Sequence, residues 1–437
     1  MKTNSAREAA LEALLRIEED KAYVGPVLGS SLGRLGLSAA DRGLYYNLVY
    51  GVITHRLAID HCLGQLCKKG LKTMKPEAVN ILRLGAVQLL FMDKIPAFAA
   101  VNEMVDIARK RLGKAGSGFI NAVLRNIIRQ GLSLFADLKS GTSREISIRT
   151  SHPLWLVEKW QAWWGHDFTK ELCEANNRPG PLTVRVNTRR ISREDYLKKC
   201  EELALYARAS EESPLGVVFA PGTGFSALPG FQEGWFIVQG EASQLPALAL
   251  NPGSGDKVLD MCSAPGGKTA QLAAASGQVV ALELYPQRVV KVKENLARLG
   301  LDNVELKAGD ARFSGLGESS FDDVLLDAPC SGFGVIRNKP DIKWSREEKD
   351  ILELNQLQRE LLAEGARVLK PGGSLVYATC TLVREENEDM AQWAMMNLPV
   401  KLTGFSLPSR EAPQGMLTVY PHRDGLDGFF IAKFIKV

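Results

Sequence analysis

Apolar positions along residues 5–130 recur at helical spacing. Ser5-Ala-Arg-Glu8 has the form of a capping box, and Leu11, Leu14, Leu15 and Ile17 follow it on one face. Pro76 sits at a first-turn position before Glu77 and the face of Val79, Leu82, Ala86, Leu89 and Leu90. Further helices are predicted over 100–112 and 119–130, and no strand pattern competes, so residues 1–140 are expected to form an all-α domain. Around 131–180 the periodicity loosens into polar sequence rich in tryptophan (Trp155, Trp160, Trp163, Trp164). Short strand patterns then appear at 182–188 and 216–220 with a helical stretch between them. Residues 141–235 therefore read as a linker and small α+β module, with a Gly/Pro-rich loop at 221–230. From 236 to 437 strand patterns (257–262, 278–284, 304–310, 322–329, 373–380) alternate with helical ones such as 286–300. That alternation predicts an α/β domain with a mostly parallel sheet covered by helices. Ligands bind such sheets at the carboxyl ends of the strands. The chemistry-bearing residues collect there: the loop 260–269, Glu283, Asp310, Asp327, Cys330 and Cys380.

Length agrees with a multidomain chain, because 437 residues exceed what one core supports. With 45% hydrophobic and 24% charged residues, composition is that of a globular protein. No apolar run approaches the roughly 20 residues of a membrane span. An N-terminus carrying Glu8, Glu12, Glu18, Glu19 and Asp20 is unlike a signal or transit peptide, so a cytoplasmic protein is expected. The seven cysteines are odd in number and scattered, which is no disulfide framework. His55, His61, Cys62 and Cys67 lack paired ligand spacing, so no metal is expected and the four are read as helical residues. Charge is uneven. Residues 1–140 hold 20 Lys/Arg against 12 Asp/Glu, and the remainder holds 34 against 38. A basic first third suggests an anionic partner, weighed evenly against solvated helix faces.

The stretch Asp260-Met-Cys-Ser-Ala-Pro-Gly-Gly-Lys-Thr269 poses the main chemical question. Gly267-Lys268-Thr269 fits the end of a phosphate-binding P-loop, and 322–327 would supply the magnesium-holding strand of an NTPase. Against that reading, Cys262 stands where the first glycine belongs, and Pro265 removes a backbone N–H that would face phosphate. The competing reading is a nucleoside cofactor without phosphates. Gly266 and Gly267 allow close approach of the backbone. Glu283 ends the second strand of the α/β region, where a carboxylate accepts from ribose hydroxyls. Asp310 would then reach an adenine amino group.

The motifs DMCSAPGGKT (260–269), LLDAPCSGFGVIR (325–337), PDIKW (340–344), YATCT (377–381) with EEN (385–387), and DGFFIAK (427–433) resemble those of bacterial 16S rRNA cytosine-C5 methyltransferases of the Fmu/Sun type. The first third resembles the RNA-binding antitermination factor NusB through 81–90, 101–110 and 118–126. Together the resemblances span nearly the whole chain. They imply a NusB-like RNA-binding domain (1–140), a small module (141–235) and a Rossmann-type methyltransferase domain (236–437). The implied cofactor is S-adenosylmethionine, held by Cys262, Ser263, Ala264, Pro265, Gly266, Gly267, Lys268, Glu283, Asp310 and Asp327. The implied partner is 16S rRNA, presenting an unpaired or flipped cytosine, and the enzyme is expected to act as a monomer. Two positions depart from the family pattern: Glu283 replaces the more usual Asp, and Gly240 stands where Asp is common, which puts any role of that acid in doubt.

Cytosine C5 is a poor nucleophile toward a methyl sulfonium. Adding a thiolate to C6 turns C5 into an enamine carbon, and the C5 proton and the thiol must afterwards leave. The chemistry needs a thiolate, a group at N3 and help in release. A lone strand-end cysteine is more often a small buried hydrophobe, but Pro-Cys330 and Thr-Cys380 beside the loop reverse those odds. Asp327 is the candidate for N3 or the exocyclic amine, against a purely structural strand-end carboxylate. Spacing alone leaves the two cysteine roles open. DNA cytosine methyltransferases use the Pro-Cys residue, which would select Cys330. The RNA enzymes that this chain resembles use the Thr-Cys residue, which implies Cys380 as nucleophile and Cys330 in product release. A P-loop NTPase and a non-catalytic RNA-binding assembly factor are the alternatives.

Overall fold

The computed structural model describes residues 5–68 and 70–437, and they divide into two compact units. The first runs to Arg178 and also includes Asn338–Arg346. Its helices are Ala6–Asp20, Val24–Leu35, Ala39–Thr54, Arg56–Leu66, Pro76–Phe91 and Ala97–Gln130, followed by Ser143–Thr150, Leu154–Trp164 and His166–Asn176. The Ser5 side chain accepts from Glu8 N at 3.2 Å, so the first helix starts at the expected cap. Leu11, Leu14, Leu48, Ile59, Leu82 and Leu124 form a core that excludes water. Helices 76–91 and 97–130 pack closely at Gly85, where a Cβ would lie 2.5 Å from Leu124. The two expected helices 100–112 and 119–130 join into one helical run broken at Gly113, whose φ of 75° and ψ of −172° are not helical.

The looseness expected at 131–180 is overturned by the three helices between Ser143 and Asn176. Their lengths, 8, 11 and 11 residues, are at or below the window over which periodicity becomes visible. Their start signals are present nonetheless: Thr142 accepts from Glu145 N, and Pro153 caps the tryptophan-rich helix, in which Trp160 is fully buried.

The PDIKW segment belongs to this helical unit. Lys343 Nζ donates to Thr54 O (2.8 Å) and Asn177 Oδ1 (3.1 Å), Trp344 Nε1 donates to Ile53 O (2.8 Å), and Asp341 Oδ2 accepts from Val24 N (3.1 Å).

The second unit holds two larger sheets and a two-stranded one. The four-stranded sheet is antiparallel in the order β2-β3-β1-β4, with β1 Thr183–Val186, β2 Ala207–Ala209, β3 Gly216–Phe219 and β4 Phe236–Val238. Helix Arg193–Glu202 buries Tyr196 against Val184, Val217 and Phe236. The larger sheet contains β5 Lys257–Asp260, β6 Gln278–Glu283, β7 Val304–Ala308, β8 Phe321–Asp327, β9 Leu369–Thr379 and β10 Val400–Leu402. After a hairpin of β11 Phe405–Leu407 and β12 Arg410–Ala412 it is completed by β13 Met416–Val419 and β14 Phe429–Lys436. Its order is β10-β14-β9-β8-β5-β6-β7, with β13 beside β14. Strands β5 to β9 pair in parallel, and β10, β13 and β14 are antiparallel. The strands run near-continuously apolar through Val258, Leu259, Val279–Leu282, Val324–Leu326 and Leu375–Ala378, as sheets covered on both faces require. The chain leaves β5 toward β6 on one side and returns to β8 on the other. The crevice of such a sheet opens at that reversal, at the carboxyl ends of β5 and β8.

Candidate active site

Asp260, Glu283 and Asp327 end β5, β6 and β8, and Cys380 follows the end of β9. Asp260 is buried; Thr269 Oγ1 donates to its Oδ2 at 2.7 Å and Cys262 N to its Oδ1 at 3.3 Å. Burial pushes its carboxyl up to about 6, opposed by the Thr269 hydrogen bond and reinforced by Asp327. Acid and hydroxyl thus brace the two ends of the loop 260–269. Within it Ser263 N donates to Leu282 O (2.9 Å) and Ala264 N to Glu283 Oε2 (3.3 Å), tying the loop to β6. Gly266 adopts φ 100°, a conformation that favours glycine, and the helix Gly267–Ala275 begins directly after it.

The lysine separates the two ligand readings. Lys268 Nζ lies 2.7 Å from Asp327 Oδ2 and 2.9 Å from Ser243 Oγ, over the Phe429 ring at 5.2 Å. Its ammonium is spent on a carboxylate, where a P-loop lysine would face phosphate. The remaining polar groups fit a nucleoside: Ser263 Oγ is buried without a hydrogen-bond partner, and Glu283, 5% exposed, presents an accepting carboxylate at the strand end. Gly309 N donates to Glu283 O (3.0 Å), which brings Asp310 beside that end. The Asp310 carboxyl is held by Arg312 (2.7 Å to Oδ2), whose hydrogen bond keeps it below the usual carboxylate range.

The two cysteines converge because their strands are neighbours. Asp327 on β8 pairs in register with Ala378 on β9, and Cys330 and Cys380 follow shortly after. Their sulfurs lie 3.4 Å apart; neither is in a disulfide, and both cysteines are partly exposed. The hydrogen bond to Cys380, then burial, hold the Cys330 thiol well above the ordinary value, and the charges of Glu386 and Asp327 add to this. Cys330 therefore keeps its proton at neutral pH. Burial likewise keeps the Cys262 thiol protonated.

The EEN motif (385–387) has a structural task that its sequence does not reveal. Glu386 and Asn387, both buried, tie the cysteine loops together. Glu386 accepts from Ser331 N (2.9 Å), Ser331 Oγ and Gln358 Nε2 (3.0 Å). Asn387 accepts from Thr379 Oγ1 (2.6 Å) and donates to Thr381 O (3.0 Å). Burial raises the Glu386 carboxyl. Arg185 was also missed. From β1 it donates to Gln239 Oε1 (2.8 Å) and to Gly267 O (3.0 Å), steadying the loop from the small sheet; burial lowers it to about 10. Gly240 has a neighbouring acid of its own: a Cβ there would lie 3.3 Å from Asp427 Oδ2.

His55, His61, Cys62 and Cys67 sit in the helical unit. His55 stacks on Phe91 (3.9 Å), His61 Nε2 meets Asp137 (3.0 Å), and both cysteines are core residues. Among the described residues no cluster of three potential metal ligands occurs, and no helix is long and apolar enough to cross a membrane.

A parallel sheet reversing at β5, a glycine loop bound to its own lysine–aspartate pair and a strand-end acid define an S-adenosylmethionine-dependent methyltransferase. The chain belongs to the RsmB/F family of 16S rRNA methyltransferases, whose model matches residues 247–435. Models of the NusB family and of the RsmF/B-like ferredoxin-like domain match 4–129 and 152–223. The chain is 37% identical over 448 residues to the probable ribosomal RNA small subunit methyltransferase B of Bacillus subtilis, covering 100% of both chains. It is 38% identical to the corresponding Pseudomonas putida protein over 99% of this chain and 98% of that one. A methyltransferase homolog protein from Pyrococcus horikoshii, 32% identical, superposes with a TM-score of 0.60 over 68% of this chain and 100% of its own. The chain is an S-adenosylmethionine-dependent rRNA methyltransferase with a NusB-like helical region.

Proposed function

We propose that the chain methylates C5 of a cytosine in 16S rRNA through a covalent bond between Cys380 and C6. The observation that carries this reading is the thiol pair: the Cys330 and Cys380 sulfurs lie 3.4 Å apart, within hydrogen-bond reach of each other. Bound in the loop 262–268 and against Glu283 and Asp310, S-adenosylmethionine supplies an electrophilic methyl group. Cys380 attacks C6 as thiolate, and the C5–C6 π pair moves through C4 to N3, which takes a proton. Asp327, oriented by Lys268, faces N3 and the exocyclic amine. C5, now an enamine carbon, would take the methyl group, the cofactor sulfur keeping the S–CH3 bonding pair and leaving as S-adenosylhomocysteine, and N3 would return its proton to solvent. Loss of the C5 proton to a solvent base re-forms the C5–C6 double bond and expels Cys380 as thiolate. A protonated Cys330 donates to that thiolate before attack and on departure, which assigns it to release. Glu386 holds the Cys330 loop through Ser331 and so positions the donor.

The base reaches these groups only when unstacked, so the target is an unpaired or flipped cytosine. The basic residues of 1–140 supply the grip on phosphates. Lys68, Arg109 and Arg125 are exposed candidates, Arg109 beside Asp106 at 3.6 Å; Arg111 is half-buried and engaged by Glu12, and Lys69 lies outside the described residues. The enzyme works as a monomer in the cytoplasm.

Incubation with 16S rRNA and methyl-labelled S-adenosylmethionine, followed by digestion to nucleosides, tests the specificity. All label is expected in 5-methylcytidine. Label in another nucleoside, or none, contradicts the reading.

A further inference from the structure

The helical unit carries a cavity of about 440 Å³ whose lining includes neither thiol. Its walls include Trp155 and Trp344, Leu154 at its 40% exposed edge, and Arg144, Lys343 and Arg346. No carboxylate lines it. The Lys343 ammonium is already engaged by Thr54 O and Asn177 Oδ1. The two arginines are not engaged: among the described residues neither makes an ion pair, and Arg346 Nε is buried without a hydrogen-bond partner. Trp344 is fixed in place by its N–H to Ile53 O and by Arg56 and Lys343 at 5.8 and 5.7 Å from its ring.

Immobilised indole surface beside unpaired guanidinium groups has a definite chemical complement. It calls for a flat π-face joined to an anion, in a space within the range of about 300–1,000 Å³ typical of small-molecule sites. Every nucleobase offers such a face, and stacking of this kind tolerates any sequence. Arginine meets phosphate through paired N–H donors. An acidic protein segment would satisfy the arginines but would bring no planar group to the indoles that line the cavity. We infer that this cavity captures one unpaired nucleotide of the RNA substrate, its base against Trp155 or Trp344 and its phosphate between Arg144 and Arg346. The site would hold the RNA at a point distinct from the methylated base. The inference rests on ribosomal RNA being the substrate.

The test uses the full chain and a 16S rRNA fragment substituted with 5-iodouridine. Irradiation is expected to cross-link RNA to peptides containing Trp155 or Trp344. The double variant Arg144→Glu/Arg346→Glu, with an unchanged melting temperature, is expected to weaken RNA binding by at least about tenfold. Cross-links confined to other peptides, together with RNA affinity unchanged in the variant, overturn the inference. So does displacement of the cross-link by a polyglutamate peptide but not by a single-stranded oligonucleotide, which would make the occupant a protein segment. Methyl transfer by the wild type is scored separately, so failure of the cavity and failure of the proposed activity read differently.

Discussion

Two lysines largely shielded from solvent, one in each compact unit, meet opposite surroundings. Lys268 has an aspartate at 2.7 Å and a hydroxyl at 2.9 Å. Lys343, more deeply buried, has only a carbonyl and an amide oxygen, and burial pulls its ammonium down to about 7. Its charge also helps to depress two neighbours, His55 to about 4 and His152 well below the ordinary value, burial being the larger cause in both. A carboxylate partner offsets part of the desolvation cost of a buried ammonium, which neutral oxygens do less well. Nature of the partner therefore separates a charge held for orientation from one held at the edge of ionisation. Lys268 fixes where Asp327 points, whereas Lys343 clasps Asn338–Arg346 within the helical unit.

Removing the charge breaks the comparison most severely at Lys268. In Lys268→Met the Asp327 carboxylate loses its partner close to buried Asp260. Stability should fall by roughly 3 kcal/mol, the low end for a broken buried pair because Asp327 keeps some solvent. Single-turnover methyl transfer should fall by at least about a hundredfold, roughly 2.7 kcal/mol in the barrier. Retention of methyl transfer within tenfold would show that the pair does not orient the aspartate.

Lys343→Met should affect methyl transfer less, and its effect on stability depends on pH. The folded value of about 7 lies below the 10.5 of an unperturbed lysine. Between these values the unfolded chain holds a proton that the folded chain has released. Wild-type stability therefore gains from this group as pH rises through that window, by up to roughly 1.4 kcal/mol per unit, and its burial cost is incurred in full below pH 7. The variant lacks this gain. Compared with wild type it should be most favoured near pH 6 and progressively less so toward pH 9.5. Urea melts of both proteins at several pH values check this, and parallel stability curves would refute it. His55 contributes in the same sense at lower pH, between about 4 and its ordinary 6.5, and does so in both proteins.

Much of the site was legible because it lies at strand ends. Alternating strand and helix patterns placed Asp260, Glu283, Asp310 and Asp327 at the carboxyl edge of one sheet, and motif resemblance singled out Cys330 and Cys380. What stayed hidden depends on partners distant in the chain. The sequence left a P-loop open, and the contact that argues against it joins Lys268 to a residue 59 positions on. Glu386 sits in an acidic run that looks solvated, yet it is fully buried and holds Ser331. Lys343 lies among methyltransferase motifs but packs with the helical unit, and no local periodicity carries that information. The helices between Ser143 and Asn176 were missed because each is short.

The central claim is the division of labour between the thiols, and a single electrophoresis experiment tests it. Wild type, Cys330→Ala and Cys380→Ala are each incubated with S-adenosylmethionine and substrate RNA, then separated under denaturing conditions. Without its release donor, Cys330→Ala should accumulate a protein–RNA adduct that survives denaturation. Cys380→Ala should form no adduct and transfer no methyl group. An adduct in Cys380→Ala and none in Cys330→Ala would reverse the roles and contradict the account.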